Sequence, residues 1–212
     1  QTVNNEVTVG TGTTSDTYLP TYSNRKYSLS EQIYTASELG SAGTITSIEF
    51  YYSGSSARTR TLDVYMVSTT KSSFSSKTDW IHPTTSNKVY SGSVAFAEGW
   101  NTITFDTPFT YDGTNNVALI VDDNTNSTST MEFYVYTGDS NTALYISSGS
   151  GSSSGGGPSG GSSTNYNPTS ISSQGTLAST KNAVVFSITQ MEISSSFIAA
   201  ILTIVGYSLN NT

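Results

Sequence analysis

Short runs in which apolar or aromatic side chains alternate with polar ones recur along this chain, separated by Gly, Asn, Asp and Ser. Period-2 alternation puts one set of side chains on each face of a pleated strand, and turn residues at this density leave no room for long helices. Strands are predicted at about 3–9, 27–34, 44–52, 61–68, 88–96, 100–106, 116–122, 131–136, 142–147 and 182–189. Asp112-Gly113 and Gly138-Asp139 supply turn residues that tolerate left-handed backbone, and Pro108 is expected to end the strand before it. No longer internal period emerges. The expected fold is all-β, a jelly-roll β-sandwich over residues 1–190 with an additional C-terminal β-strand in an apolar tail, 191–212.

Composition narrows the function. Charged residues make up 11% of the chain, against roughly 25% in an average domain, so hydroxyls take over as solubilising groups. The net charge of -7 argues against nucleic acid, whose affinity comes from neutralising phosphates. Arg58 and Arg60 are the one tight basic pair and read as charges blunting an edge strand. Cysteine is absent, which excludes disulfides and thiolate chemistry. No basic, apolar leader opens the sequence, so any secretory signal is expected to have been removed or left out and Gln1 would then be a mature N-terminus; extracellular placement rests on composition and on a family resemblance, not on a targeting segment.

Catalytic constellations are sparse. His82 is the only histidine and precedes Pro83, which favours a turn, so no hydrolase triad is expected and the chain is read as non-enzymatic. The Gly-rich stretch has no phosphate-cradling lysine. One spacing repeats: Glu49-x-Tyr51, Asp63-x-Tyr65 and Glu132-x-Tyr134. Period 2 puts each acid and its tyrosine on one face, with Ile48 and Phe50, Leu62 and Val64, Met131 and Phe133 on the core face. If the three strands share a sheet, that face offers carboxylates and aromatic platforms suited to glycans; otherwise it is an ordinary solvated face. Asp122, Asp123 and Asn124 crowd hard oxygen ligands after a strand, suited either to calcium or to Asx turns.

Two segments break the rhythm. Ser147–Ser163 reads SSGSGSSSGGGPSGGSS, a linker composition whose ordering would need a neighbouring subunit or its own sheet. The tail after Gln190 is the most apolar stretch. Phe197–Leu209 is short for a transmembrane helix and has no basic anchor, so membrane insertion is not expected. As a strand it places Ile193, Phe197, Ile201, Val205, Tyr207 and Leu209 on one face. Such a strand adds either to its own sheet or to a neighbour's, the latter giving a self-assembled filament.

From Val7 to about Ile188 the chain resembles the cleaved-adhesin jelly-roll domains of Bacteroidetes surface and secreted proteins, including gingipain adhesin regions. The likeness is carried by Val9-Gly10-Thr11-Gly12-Thr13, Glu31–Gly40, Gly43–Ile48, Asp79-Trp80-Ile81, Pro108–Gly113 and Val121–Thr125. The resemblance implies extracellular display, adhesion to host or matrix components, structural calcium at Asp122, Asp123 and Asn124, and no catalysis. The expected role is a fibre-forming surface subunit, or else a calcium-stabilised carbohydrate- or host-protein-binding module.

Overall fold

The computed structural model describes residues 2–150 and 164–191. Thirteen strands run among them: β1 (Thr2–Val9), β2 (Thr14–Asp16), β3 (Arg25–Tyr34), β4 (Gly43–Tyr52), β5 (Arg58–Thr69), β6 (Lys88–Phe96), β7 (Gly99–Tyr111), β8 (Asn116–Asp123), β9 (Phe133–Thr137), β10 (Ala143–Ser150), β11 (Thr176–Ala178), β12 (Thr180–Asn182) and β13 (Val184–Met191). The one α-helix, α1 (Ala36–Leu39), is a single turn, closed by a reciprocal capping box between Thr35 and Glu38.

The strands form two antiparallel sheets packed as a sandwich. Sheet A runs β1-β13-β4-β9-β12, with β7 also on β4 and β2 also on β9; sheet B runs β11-β10-β3-β8-β5-β6. The chain changes sheet at most connections, the jelly-roll way of winding, so hydrophobic parity decides the core. Ile45, Ile48, Phe50, Phe133, Val184 and Phe186 from sheet A meet Leu62, Val64, Met66, Leu119 and Val121 from sheet B. A second core lies on the outer face of sheet B. There Leu29, Ile33, Tyr65, Ala118, Ile120 and Leu144 are roofed by Phe74, Trp80, Ile81 and Ile171 from the loops.

Three expectations need correction. Pro108 lies within β7 instead of ending it: between the Ile45–Phe109 and Ser47–Thr104 pairs the register shifts, and a proline without an N–H is tolerated at such an irregularity. Arg60 does not blunt an edge, because β5 lies between β8 and β6 and its side chain is 1% exposed. The strands β2, β11 and β12 were not expected; each is three residues long, too short for a periodic signal. Residues 151–163 of the Ser/Gly stretch, and the tail strand with Ile193, Phe197, Ile201, Val205, Tyr207 and Leu209, lie outside the described residues.

Candidate functional site

Strand pairing brings two of the three acid-x-Tyr units together. Tyr52 pairs with Phe133 across β4 and β9, so the next cross-strand neighbours are Tyr51 and Tyr134. On the other side of β4, Tyr51 pairs with Trp100 of β7. The three rings therefore form one row on the outer face of sheet A. Tyr51 and Tyr134 stack with centroids 4.1 Å apart and planes 7° from parallel. Trp100 stands perpendicular to Tyr51, at 5.5 Å and 89°, and is 42% exposed. The Tyr51 phenol is pushed above its ordinary value, first by the neighbouring Tyr134 phenol and least by Glu98.

Glu49 lies two residues along β4 from Tyr51 and accepts a hydrogen bond from the Thr102 hydroxyl at 2.9 Å. Glu132 is exposed, and alternation past the buried Phe133 places it on the side of Tyr134. Further down the same face, Asn4, Glu6, Ser47, Thr104 and Ser187 line an open polar groove of about 570 Å³. Trp100, Glu98 and this groove escaped the sequence reading. The available signal was a tryptophan in the polar phase of β7, shared with Thr102 and Thr104 and opposite in parity to Ile103 and Phe105.

Asp63 and Tyr65 do not join this site. They sit on the outer face of sheet B, where Tyr65 is buried in the second core and Asp63 accepts from Lys88 Nζ at 2.7 Å and from the Ser91 hydroxyl at 2.6 Å. A single three-strand platform is thereby excluded: the acid-x-Tyr units lie on opposite sheets.

The oxygen-rich run after β8 is also divided by strand parity. Asp123 faces the sandwich interior, where Arg60 Nη2 lies 2.6 Å from its Oδ2 and the Thr125 amide and hydroxyl reach its Oδ1. Asp122 faces the other way, directly opposite Asp63 in register. Burial pushes its carboxyl up to about 7. Asp122 Oδ1 and Asn124 Oδ1 are buried without a hydrogen-bond partner among the described residues. They are the two free oxygens of the run. Calcium takes six to eight oxygens, and with Asp123 committed to Arg60 and Asp63 to Lys88, the residues present do not complete such a shell. No group of three or more His, Cys, Asp or Glu side chains able to hold a metal occurs among the described residues.

Glu31 and Lys181 are two further buried charged side chains among the described residues. Glu31 is fully buried under the loop roof, accepts the Ile81 amide at 2.8 Å, and is raised to about 8 by burial. Lys181 reaches Glu38 Oε2 at 2.8 Å and the Ile33 carbonyl at 2.8 Å, while the Tyr136 hydroxyl donates to Glu38 Oε1. This network ties α1 to β12 and β9. Among the described residues, the hydrogen-bond partner of His82 is the Pro168 carbonyl, at 3.3 Å.

The C-terminal family of protein export membrane proteins SecD/SecF matches residues 180–212. No curated protein and no solved structure matches the chain. The matching family overturns the adhesin-type resemblance, and with it the extracellular placement, the fibre-forming adhesive role and the surface binding module inferred from it. Several of the motifs that carried the resemblance, among them Gly43–Ile48, Pro108–Gly113 and Val121–Thr125, lie in strands and the turns next to them, which a β-sandwich needs for its own winding. Residues 180–191 of the matched stretch are β12 and β13, so the likeness overlaps two strands of sheet A before passing into the apolar tail. No helix among the described residues is long and apolar enough to cross a membrane.

Proposed function

We propose that the chain is a non-catalytic recognition module of a membrane-associated protein, using the aromatic row Tyr134–Tyr51–Trp100 as its contact surface and the segment after residue 191 as its membrane attachment. The observation that carries this reading is the direction of β13. Val184 pairs with Phe50 and Thr189 with Thr44, so the chain leaves the sandwich at the Thr44 end of β4, whereas the aromatic row lies at the Tyr51 end. Seven residues at about 3.3 Å each separate these ends by roughly 20 Å. A module anchored through its last strand would hold the aromatic row away from the bilayer, accessible to a partner. The membrane assignment is supported by the similarity of residues 180–212 to a membrane protein family and by the apolar sequence Phe197–Leu209.

Flotation of the full chain with phospholipid vesicles tests the attachment. The chain is expected to rise with the vesicles, and the double variant Ile201→Lys/Ile204→Lys to stay at the bottom of the gradient, since a charge in an apolar insertion segment costs about 2.5–3.5 kcal/mol. A full chain that stays at the bottom contradicts the reading.

A further inference from the structure

We propose that the outer face of sheet A docks a basic polypeptide segment, seating one lysine or arginine side chain against Trp100 and Tyr51 beside Glu98 and Glu132. This deepens the recognition reading and rests on its choice of face, not on its membrane attachment.

The first argument is geometric. Trp100 and Tyr51 meet at 89°, forming two walls of a corner, and Tyr134 stacked behind Tyr51 adds a second electron-rich ring. A cation is attracted to the negative face of an aromatic ring, most strongly to tryptophan, and two orthogonal walls present ring surface from two directions. The same corner suits an alkylammonium or guanidinium group better than an anion, because the acids around it are all of one sign.

The second argument is charge. Of the strands of sheet A, β1, β2, β4, β7, β9 and β13 contain no Lys, Arg or His, and Lys181 of β12 is buried and already paired with Glu38. Their outer positions include Glu6 and Glu49, with Glu98 in the turn before β7 and Glu132 just before β9. None of these four acids takes part in an ion pair among the described residues, in contrast to Asp63, Asp79, Asp123 and Glu38. An acidic surface without local counter-charges is complementary to a cationic partner and speeds its encounter.

The third argument concerns length and fixes a polymer as the occupant. Glu6, Ser187, Ser47 and Thr104 lie in one cross-strand row, and Tyr51 and Trp100 lie four residues further along β4. Groove and corner are therefore about 13 Å apart on one continuous face. A small cation fills only the corner, while an extended segment of four or five residues spans both, placing a second basic side chain near Glu6.

The test is a titration of the isotopically labelled full chain with hexalysine, followed by nuclear magnetic resonance. The indole N–H of Trp100 is expected to shift, while that of Trp80, which is buried and donates to the Ser173 carbonyl, stays fixed. Trp100→Ala should weaken binding about tenfold, and Trp100→Tyr should restore part of it. Glu98→Gln/Glu132→Gln should weaken binding and flatten its dependence on salt. Hexaglutamate and hexaserine should shift nothing. The proposal is overturned if hexaserine moves the same resonances, or if hexalysine binds Trp100→Ala as tightly as the parent. It is also overturned if hexalysine binds with the Trp100 indole unmoved. Vesicle flotation without hexalysine binding would refute this docking and leave the membrane attachment standing, and the opposite pair of results would do the reverse.

Discussion

Replacing Arg60 by methionine should cost far more than a charge on a strand usually does. Arg60 is 1% exposed and Asp123 is fully buried, and they close one end of the main core from β5 and β8. The guanidinium makes two short contacts to Asp123 Oδ2, from Nη2 at 2.6 Å and Nε at 2.8 Å. It also donates to the Ser127 carbonyl at 2.9 Å and the Arg25 carbonyl at 3.3 Å, pinning the loop after β8 to the start of β3. Methionine matches the aliphatic stem but leaves a buried carboxylate alone. Removing one partner of a buried pair costs about 3–5 kcal/mol, and at roughly 2–4 °C per kcal/mol for a domain of this size the melting temperature should fall by about 10 °C. Burial already pushes the Asp123 carboxyl upward while Arg60 pulls against it. Without Arg60 the acid should favour its protonated form. The folded-state value then lies above the unfolded one, so stability is greatest below the unfolded value and is lost as pH rises. The deficit of Arg60→Met should accordingly shrink between pH 7 and pH 4. Thermal and urea melts of Arg60→Met, Asp123→Leu and the double variant give the coupling, expected at about 2 kcal/mol or more. If Arg60→Met melts within about 0.5 kcal/mol of the parent, a range typical of surface substitutions, the buried-pair account is wrong.

Other outcomes follow from the same structure. Glu31 and Asp122, raised to about 8 and about 7 by burial, keep protons in the folded chain that the unfolded chain has released above about pH 4.5. Parent stability should therefore be highest near pH 4 and decline toward pH 8, by up to about 1.4 kcal/mol per pH unit for each group. Glu31→Gln should flatten that slope in denaturant melts, and an unchanged slope would remove Glu31 as a cause. Calcium at millimolar concentration is expected to leave the melting temperature within about 1 °C, consistent with the incomplete oxygen shell; a rise of several degrees that is lost in Asn124→Ala would place a cation there after all. Gly10 has a φ of +80°, and a Cβ there would lie 2.2 Å from the Tyr136 ring. Gly10→Ala should destabilise by more than the ~1 kcal/mol of backbone strain alone, and a parent-like melt would show that Tyr136 can move aside.

The sandwich was legible because burial on one face makes hydrophobic parity strict. Ile48 and Phe50, Leu62 and Val64, and Met131 and Phe133 could be assigned inward from alternation alone, and all six are buried. The outer faces were less legible, because parity says which side a residue takes but not which sheet it joins. Asp63 and Tyr65 share the spacing of Glu49 and Tyr51 yet lie across the core, in a sheet that carries a second hydrophobic layer of its own. Arg60 illustrates the same limit from the inside: a charged residue in the inward phase of a strand reads as an exposed edge until its partner, Asp123 on another strand, is known. Trp100 was hidden by weak local context, since one aromatic residue in a polar phase acquires meaning only when pairing sets it beside Tyr51. The tail was judged by apolar length, whereas its family likeness depends on the specific sequence of residues 180–212.

Paramagnetic relaxation on vesicles tests the central claim most directly. With the full chain bound to vesicles carrying nitroxide-labelled headgroups, amide signals of Thr2, Gly43, Thr44 and Met191, at the end of sheet A where β13 finishes, should broaden strongly. Those of Tyr51, Trp100 and Tyr134 should stay sharp. Equal broadening at both ends, or stronger broadening at the aromatic row, would contradict a module that holds this surface away from the membrane.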